Sequence, residues 1–193
     1  KKDLVERIKA SLPELPGERR DKYIYVYGLP AYDAEIITSS KDLSDFFEEA
    51  AGKSMNIKAL SNWVMGDLMR LLKDRNIDVE NVKFPPAYLA KLVAMIDEGT
   101  INGPTAKKVF EEMFDTGKDP ERIVKEKGLE VLNDESFLLE TVRKVIEGNP
   151  ATVSDYKNGK KKALGFLMGQ VMKETKGKAD PQIANRLLLK ELK

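Results

Sequence analysis

Four times along this chain a side chain able to cap a helix stands at or next to a proline: Asn102-Gly103-Pro104, Asp119-Pro120, Asn149-Pro150 and Asp180-Pro181. Asparagine and aspartate accept hydrogen bonds from the orphan N–H groups of a first helical turn, and proline, which lacks an N–H, is suited to that turn. Gly99, Gly117, Gly128, Gly148 and Gly177 stand where the same helices should stop. Between these marks apolar residues recur at helical spacing: Ile57, Leu60, Val64, Leu68 and Leu71, then Leu89, Leu92, Val93 and Ile96, then Ala106, Val109, Phe110 and Met113. The pattern predicts an all-α protein with those stripes in its core. Tyr23 to Tyr27, YIYVY, conflicts with it, since β-branched and aromatic residues favour a strand. No partner strand is evident, so the strand is set aside.

With 193 residues and 41% hydrophobic content the chain can bury a sizeable core, divided between two modest domains. It has no cysteine and no histidine, which removes thiol nucleophiles, sulfur or imidazole zinc sites, disulfides and the commonest general base. Metal and catalytic residues are expected to be none. No apolar run approaches the roughly 20 residues that cross a bilayer, and the opening KKDLVERIKASL is charged and amphipathic, unlike a signal peptide. A soluble, cytoplasmic protein is expected.

Ile77 to Pro86 reads as an extended connector, because the residue before a proline avoids the α region and two prolines follow Phe84. A second break falls at Gly128 to Asn133, which sets the expected domains at 1–130, a helical linker domain, and 131–193, a basic tail. No repeat of useful period and no low-complexity segment stands out. The net charge of +1 conceals an asymmetry: residues 151 to 193 carry ten Lys and Arg against four Asp and Glu, a balance of +6, which leaves −5 on the rest. A basic module of this kind meets polyanions or is a solvated face.

The tail contains KNGKKKALGFLMGQVMKETKGKADP, Lys157 to Pro181. On a helical wheel Leu164, Leu167, Met168 and Val171 share one face, while Lys162, Gly165, Gly169, Lys173 and Lys176 line the opposite one. An exposed mid-helix glycine costs about 1 kcal/mol relative to alanine, so two of them between lysines call for a reason. Close approach of a negatively charged backbone supplies one; a neighbouring helix received against small residues four apart supplies another.

The runs LPELPGERRDKY, YGLPAYDAEIIT, NWVMGDLMRLL, PPAYLAKLVAMIDEGTING, AKKVFEEMF and KALGFLMGQVMKETKGKADPQIANRLL together resemble the C-terminal half of the B subunit of the tRNA-dependent glutamyl/aspartyl amidotransferase. Over about the last hundred residues the chain also resembles the YqeY-like family. Asp180 stands where the family commonly has asparagine.

The resemblance implies a portion that follows a large cradle domain, which holds ATP and magnesium and activates the misacylated glutamyl or aspartyl end of the tRNA. It also implies a complex with an amidase, the A subunit, that releases ammonia from glutamine and with a small C subunit, with no membrane or DNA partner. The helical domain would join cradle to tail, and the tail would touch the outer corner of tRNA. On that basis Lys157, Lys160, Lys161, Lys162, Gly165, Gly169, Lys173, Lys176 and Lys178 are the expected tRNA contacts. Arg19, Arg20 and Tyr23 are expected at an interface with the cradle, although their basic and aromatic character also suits nucleic acid. A protein-docking module, with the lysines facing acidic partner proteins, and a stand-alone YqeY-like protein are the alternatives. Adjacent acids such as Glu48 and Glu49, Asp97 and Glu98, or Glu111 and Glu112 point about 100° apart on a helix and cannot face one substrate, so they are solvated surface. Trp63 is a packing anchor.

Overall fold

A computed structural model describes residues 15–193. Among them the regular elements are helices, as the capping pattern predicts, with one isolated parallel bridge between Leu132 and Ala179. The chain divides into two compact units. The first holds the described residues up to Ala94 together with Phe114–Gly117, and the second holds Met95–Met113 and Lys118–Lys193.

The first unit opens with α1 (Pro16–Tyr25), α2 (Ala31–Thr38) and α3 (Lys41–Ala51), the last capped by Ser40, whose Oγ accepts from the Leu43 N–H at 3.3 Å. YIYVY is helical as far as Tyr25, with Val26 as its C-cap. Its β propensity is overridden by packing: Tyr23 stacks on Tyr27 at 5.7 Å and meets Phe47 edge-on at 5.0 Å. Helix α4 (Ile57–Trp63), capped by Asn56 on the Ala59 N–H, runs through a π-helical turn at Val64–Leu68 into α5 (Met69–Arg75). Leu60, Val64, Leu68 and Leu71 are buried along it, as their spacing predicts. The connector from Ile77 contains one 3-10 turn, Val79–Asn81, with extended residues Asp78 and Val82 on either side. Phe84, at its end, packs on Phe46 and Phe114. Gly117 needs to be glycine: its φ is +73°, and a Cβ there would lie 2.8 Å from the Lys83 carbonyl oxygen.

Helices α6 (Pro86–Asp97) and α7 (Gly103–Thr116) follow, and Asn102 caps the latter through the Thr105 N–H at 2.9 Å. The second unit continues with α8 (Pro120–Lys127), α9 (Glu135–Gly148), α10 (Pro150–Lys157), α11 (Lys162–Glu174) and α12 (Pro181–Glu191). Asp119, Asp134 and Asp180 cap α8, α9 and α12. Asn149 makes no such cap; its side chain turns back and donates to the Val145 carbonyl, closing the end of α9. Residues 128–133 lie inside the second unit. From residue 138 on, Leu138, Val142, Val145, Leu167, Val171, Ala184, Leu187, Leu188 and Leu192 nevertheless form one apolar cluster. Each fully buried leucine or valine in it contributes about 1.5 to 3 kcal/mol relative to exposure.

Candidate nucleic-acid interface

Helix α11 owes its orientation to one apolar stripe. Ala163, Leu167 and Val171 are buried, and the partly buried Leu164, Met168 and Met172 pack against the same cluster. The far end is fixed by Thr175, buried, whose hydroxyl donates to the Val171 carbonyl at 2.9 Å and accepts from the Ala179 N–H at 3.4 Å. The chain then turns through two residues with positive φ, Lys176 at 53° and Gly177 at 76°. Asn102 donates to the Gly177 carbonyl at 2.7 Å, and the Leu132 N–H donates to the Lys178 carbonyl at 2.7 Å, so the turn is held from two sides within its unit.

With that face buried, the opposite one is presented outward. Gly165 and Gly169 are exposed, and a Cβ on either would meet nothing within 4 Å. No neighbouring helix among the described residues is received against them. Lys162 and Lys173, one turn before Gly165 and one turn after Gly169, are exposed on the same face. So is Phe166, at 50% exposure, between them.

The remaining expected lysines are not all equivalent. Lys157, Lys160 and Lys161 are exposed at the end of α10 and in the turn before α11, but Lys160 is engaged with Asp155 at 2.8 Å. Lys176 is exposed in the left-handed turn. Lys178 is partly buried, its Nζ lying 3.9 Å from the position of a Cβ on Gly128. Thus Lys162, Gly165, Phe166, Gly169 and Lys173 share one helical face, with Lys161 and Lys176 flanking its ends. Phe166 was not among the expected contacts. Its signal is its position three residues before Gly169 and four after Lys162.

Of the three residues expected at a docking surface of the first unit, Arg20 alone is exposed. Tyr23 is 0% exposed, its hydroxyl shares a hydrogen bond with Ser44 Oγ at 3.1 Å, and burial pushes its phenol above the ordinary range. Arg19 donates to Asp45 at 2.5 Å and to Ser44 Oγ at 3.0 Å. Hydrogen bonds from Lys41 and then Arg19 hold the Asp45 carboxyl below its usual range. Leu15, Tyr25, Val26 and Tyr32 are large exposed apolar groups nearby in sequence.

Among the described residues no group of three or more Asp or Glu is arranged to hold a metal ion, and no helix is long and apolar enough to cross a membrane.

The GatB domain model matches residues 45–192. The chain is also similar to curated proteins named as the B subunit of aspartyl/glutamyl-tRNA(Asn/Gln) amidotransferase. That of Caldicellulosiruptor bescii is 53% identical over 191 residues, 97% of this chain and 40% of that protein. Those of Thermoanaerobacter sp. (strain X514) and Clostridium botulinum (strain Loch Maree) are 54% and 50% identical, each over 187 residues, 97% of this chain and 39% of the relative. The chain spans about 40% of the length of the curated relatives it matches. The family model covers most of the chain, residues 45–192, in keeping with the helical architecture of the described residues, and the chain belongs to the GatB domain family.

Proposed function

We propose that this chain is the tRNA-binding C-terminal portion of the B subunit of an amidotransferase and that α11 is its grip on the tRNA outer corner. The enzyme would convert misacylated Glu-tRNA(Gln) or Asp-tRNA(Asn) to Gln-tRNA(Gln) or Asn-tRNA(Asn). The observation that carries the proposal is the open face of α11, where two glycines with nothing over them are bracketed by exposed lysines and a half-exposed phenylalanine. A sugar-phosphate chain can lie against the bare helix there, lysine ammonium groups neutralise phosphates, and the ring offers an unpaired base a stacking surface. In this reading the chain does no chemistry. ATP and magnesium belong to a cradle domain, and ammonia delivery to the amidase and its small companion. Residues 131–193 form the tail domain, supported by the apolar cluster they contain.

The test is a binding titration of the chain with tRNA and with an unrelated RNA duplex across a salt series. Preference for tRNA is expected, with log Kd varying linearly with log salt. Equal binding to both, or none, overturns the proposal.

A further inference from the structure

A helix that closes on a left-handed residue usually has glycine there, because a Cβ crowds the backbone in that conformation. Asn76, Gly99 and Gly128 make such closures, with φ at 50°, 74° and 55°. In each case the following N–H donates five residues back: Ile77 to Leu72 at 3.0 Å, Thr100 to Met95 at 2.9 Å, and Leu129 to Val124 at 2.9 Å. Asparagine is among the few side chains that enter this conformation readily. Helix α11 closes the same way, the Gly177 N–H donating to the Met172 carbonyl at 2.7 Å, but its left-handed residue is Lys176, φ 53°. The glycine comes one position later. Lysine lacks asparagine's tolerance, so the chain carries steric strain at an exposed cation where glycine would carry none. Such strain persists only where the surroundings hold it, and it collects at functional positions.

What holds it comes largely from Asn102, a residue of the same unit that is 75 positions from Gly177. Its carboxamide is used at both ends. The Oδ1 accepts from the Thr105 N–H at 2.9 Å and caps α7, while the Nδ2 donates to the Gly177 carbonyl at 2.7 Å. Residues 131 and 132 run between the same two loops, the Val131 N–H donating to the Thr100 carbonyl at 2.8 Å and the Leu132 N–H to the Lys178 carbonyl at 2.7 Å. Capping alone does not call for asparagine, since serine and aspartate cap as well. Neither replaces it on the turn. Ionised aspartate has no donor, and the serine hydroxyl is one atom shorter than the amide that reaches Gly177.

We propose that Asn102 is a positioning residue for the tRNA contact, holding the turn in which Lys176 stands at the end of the open face of α11. With Gly177 gripped, the backbone under Lys176 is already fixed before RNA arrives, and a phosphate has only the lysine side chain left to order. Without the grip the strained turn frays, and ordering it then opposes binding. Asn102 itself touches no RNA in this scheme. It acts through Lys176, from the loop before α7, and the strained lysine is kept because its charge is used where it stands. The inference rests on the tRNA reading above and extends it to a residue outside the contact surface.

The test measures tRNA binding across a salt series, with thermal melts, for the full chain and its variants. Asn102→Ser keeps the cap and loses the grip. It should weaken tRNA binding about fivefold and, as Lys176→Gln does, reduce the salt slope by roughly 0.7 to 0.9. Added to Lys176→Gln it should have no further effect, whereas added to Lys162→Gln, at the other end of α11, its effect should be undiminished. A purely structural role would lower the melting temperature and leave the slope and this coupling unmoved. Lys176→Gly approaches the turn without touching Asn102: it should melt at or above the parent, because glycine relieves the strain, and bind tRNA as weakly as Lys176→Gln. A parent that prefers tRNA while Asn102→Ser matches it in affinity and slope overturns this inference and leaves the tail contact standing. Additive losses from Asn102→Ser and Lys176→Gln overturn it too, as does a Lys176→Gly variant that melts lower or binds like the parent. A parent with no preference for tRNA removes both readings.

Discussion

Replacing Gly165 and Gly169 should separate folding from RNA binding, because the fold gains from a side chain that the RNA contact forbids. Both glycines lie inside α11 with open space where a Cβ would go. Alanine at either should stabilise the protein by up to about 1 kcal/mol, through better helix propensity and a less free unfolded chain. The double variant should gain up to about 2 kcal/mol. At roughly 2 to 4 °C per kcal/mol for a chain of this size, that is a rise in Tm of several degrees. Gly117 provides the opposite sign: with φ at +73° and a Cβ 2.8 Å from a backbone oxygen, Gly117→Ala should cost more than the 1 to 2 kcal/mol of a left-handed alanine alone. Gly165→Leu and Gly169→Leu should fold and melt near the parent, since nothing stands in the way of the added atoms. Their tRNA affinity should fall at least tenfold, because about four carbon atoms would hold the sugar-phosphate chain off the helix. Thermal melts with fluorescence binding titrations read both quantities. Alanine variants that melt lower would refute the open-face geometry. Leucine variants that melt normally and bind tRNA unchanged would refute the contact.

Lys173→Gln and Lys162→Gln should each reduce the salt slope of tRNA binding by about 0.7 to 0.9, whereas Lys160→Gln should reduce it less because Asp155 already shares that charge; equal effects in a salt series would refute the ranking. Residues 131–193 expressed alone should be helical by circular dichroism and melt cooperatively, since the apolar cluster that runs from Leu138 to Leu192 lies within them; an unfolded peptide would count against a separate tail. Tyr23→Phe should cost about 1 kcal/mol for the lost Ser44 bond, and Tyr23→Ala about 3 to 5 kcal/mol for the cavity, in urea unfolding. Asp45, bonded by Lys41 and Arg19, has a folded pKa below its unfolded value near 4, so it stabilises above that value and the contribution is lost as pH falls through the lower folded value. Asp45→Asn should therefore flatten stability against pH below about pH 4, and an unchanged acid limb in pH-dependent melts would refute this.

The capping residues gave a faithful account of the fold because their effect is local: Asp119, Asp180 and Asn102 each bond an N–H two or three residues ahead, whatever surrounds them. Where a residue's partner is distant in sequence, local reasoning failed. Asn149 looked like a cap and instead closes the preceding helix. Tyr23 and Arg19 looked like surface groups beside an interface, and their partners Ser44, Asp45 and Phe47 come from α3, more than twenty residues on. On α11 the wheel placed both glycines outside the core, because the stripe of Leu167 and Val171 leaves them no other side to face. Phe166 escaped notice for the converse reason, since an aromatic residue next to a core leucine is ordinarily counted as core.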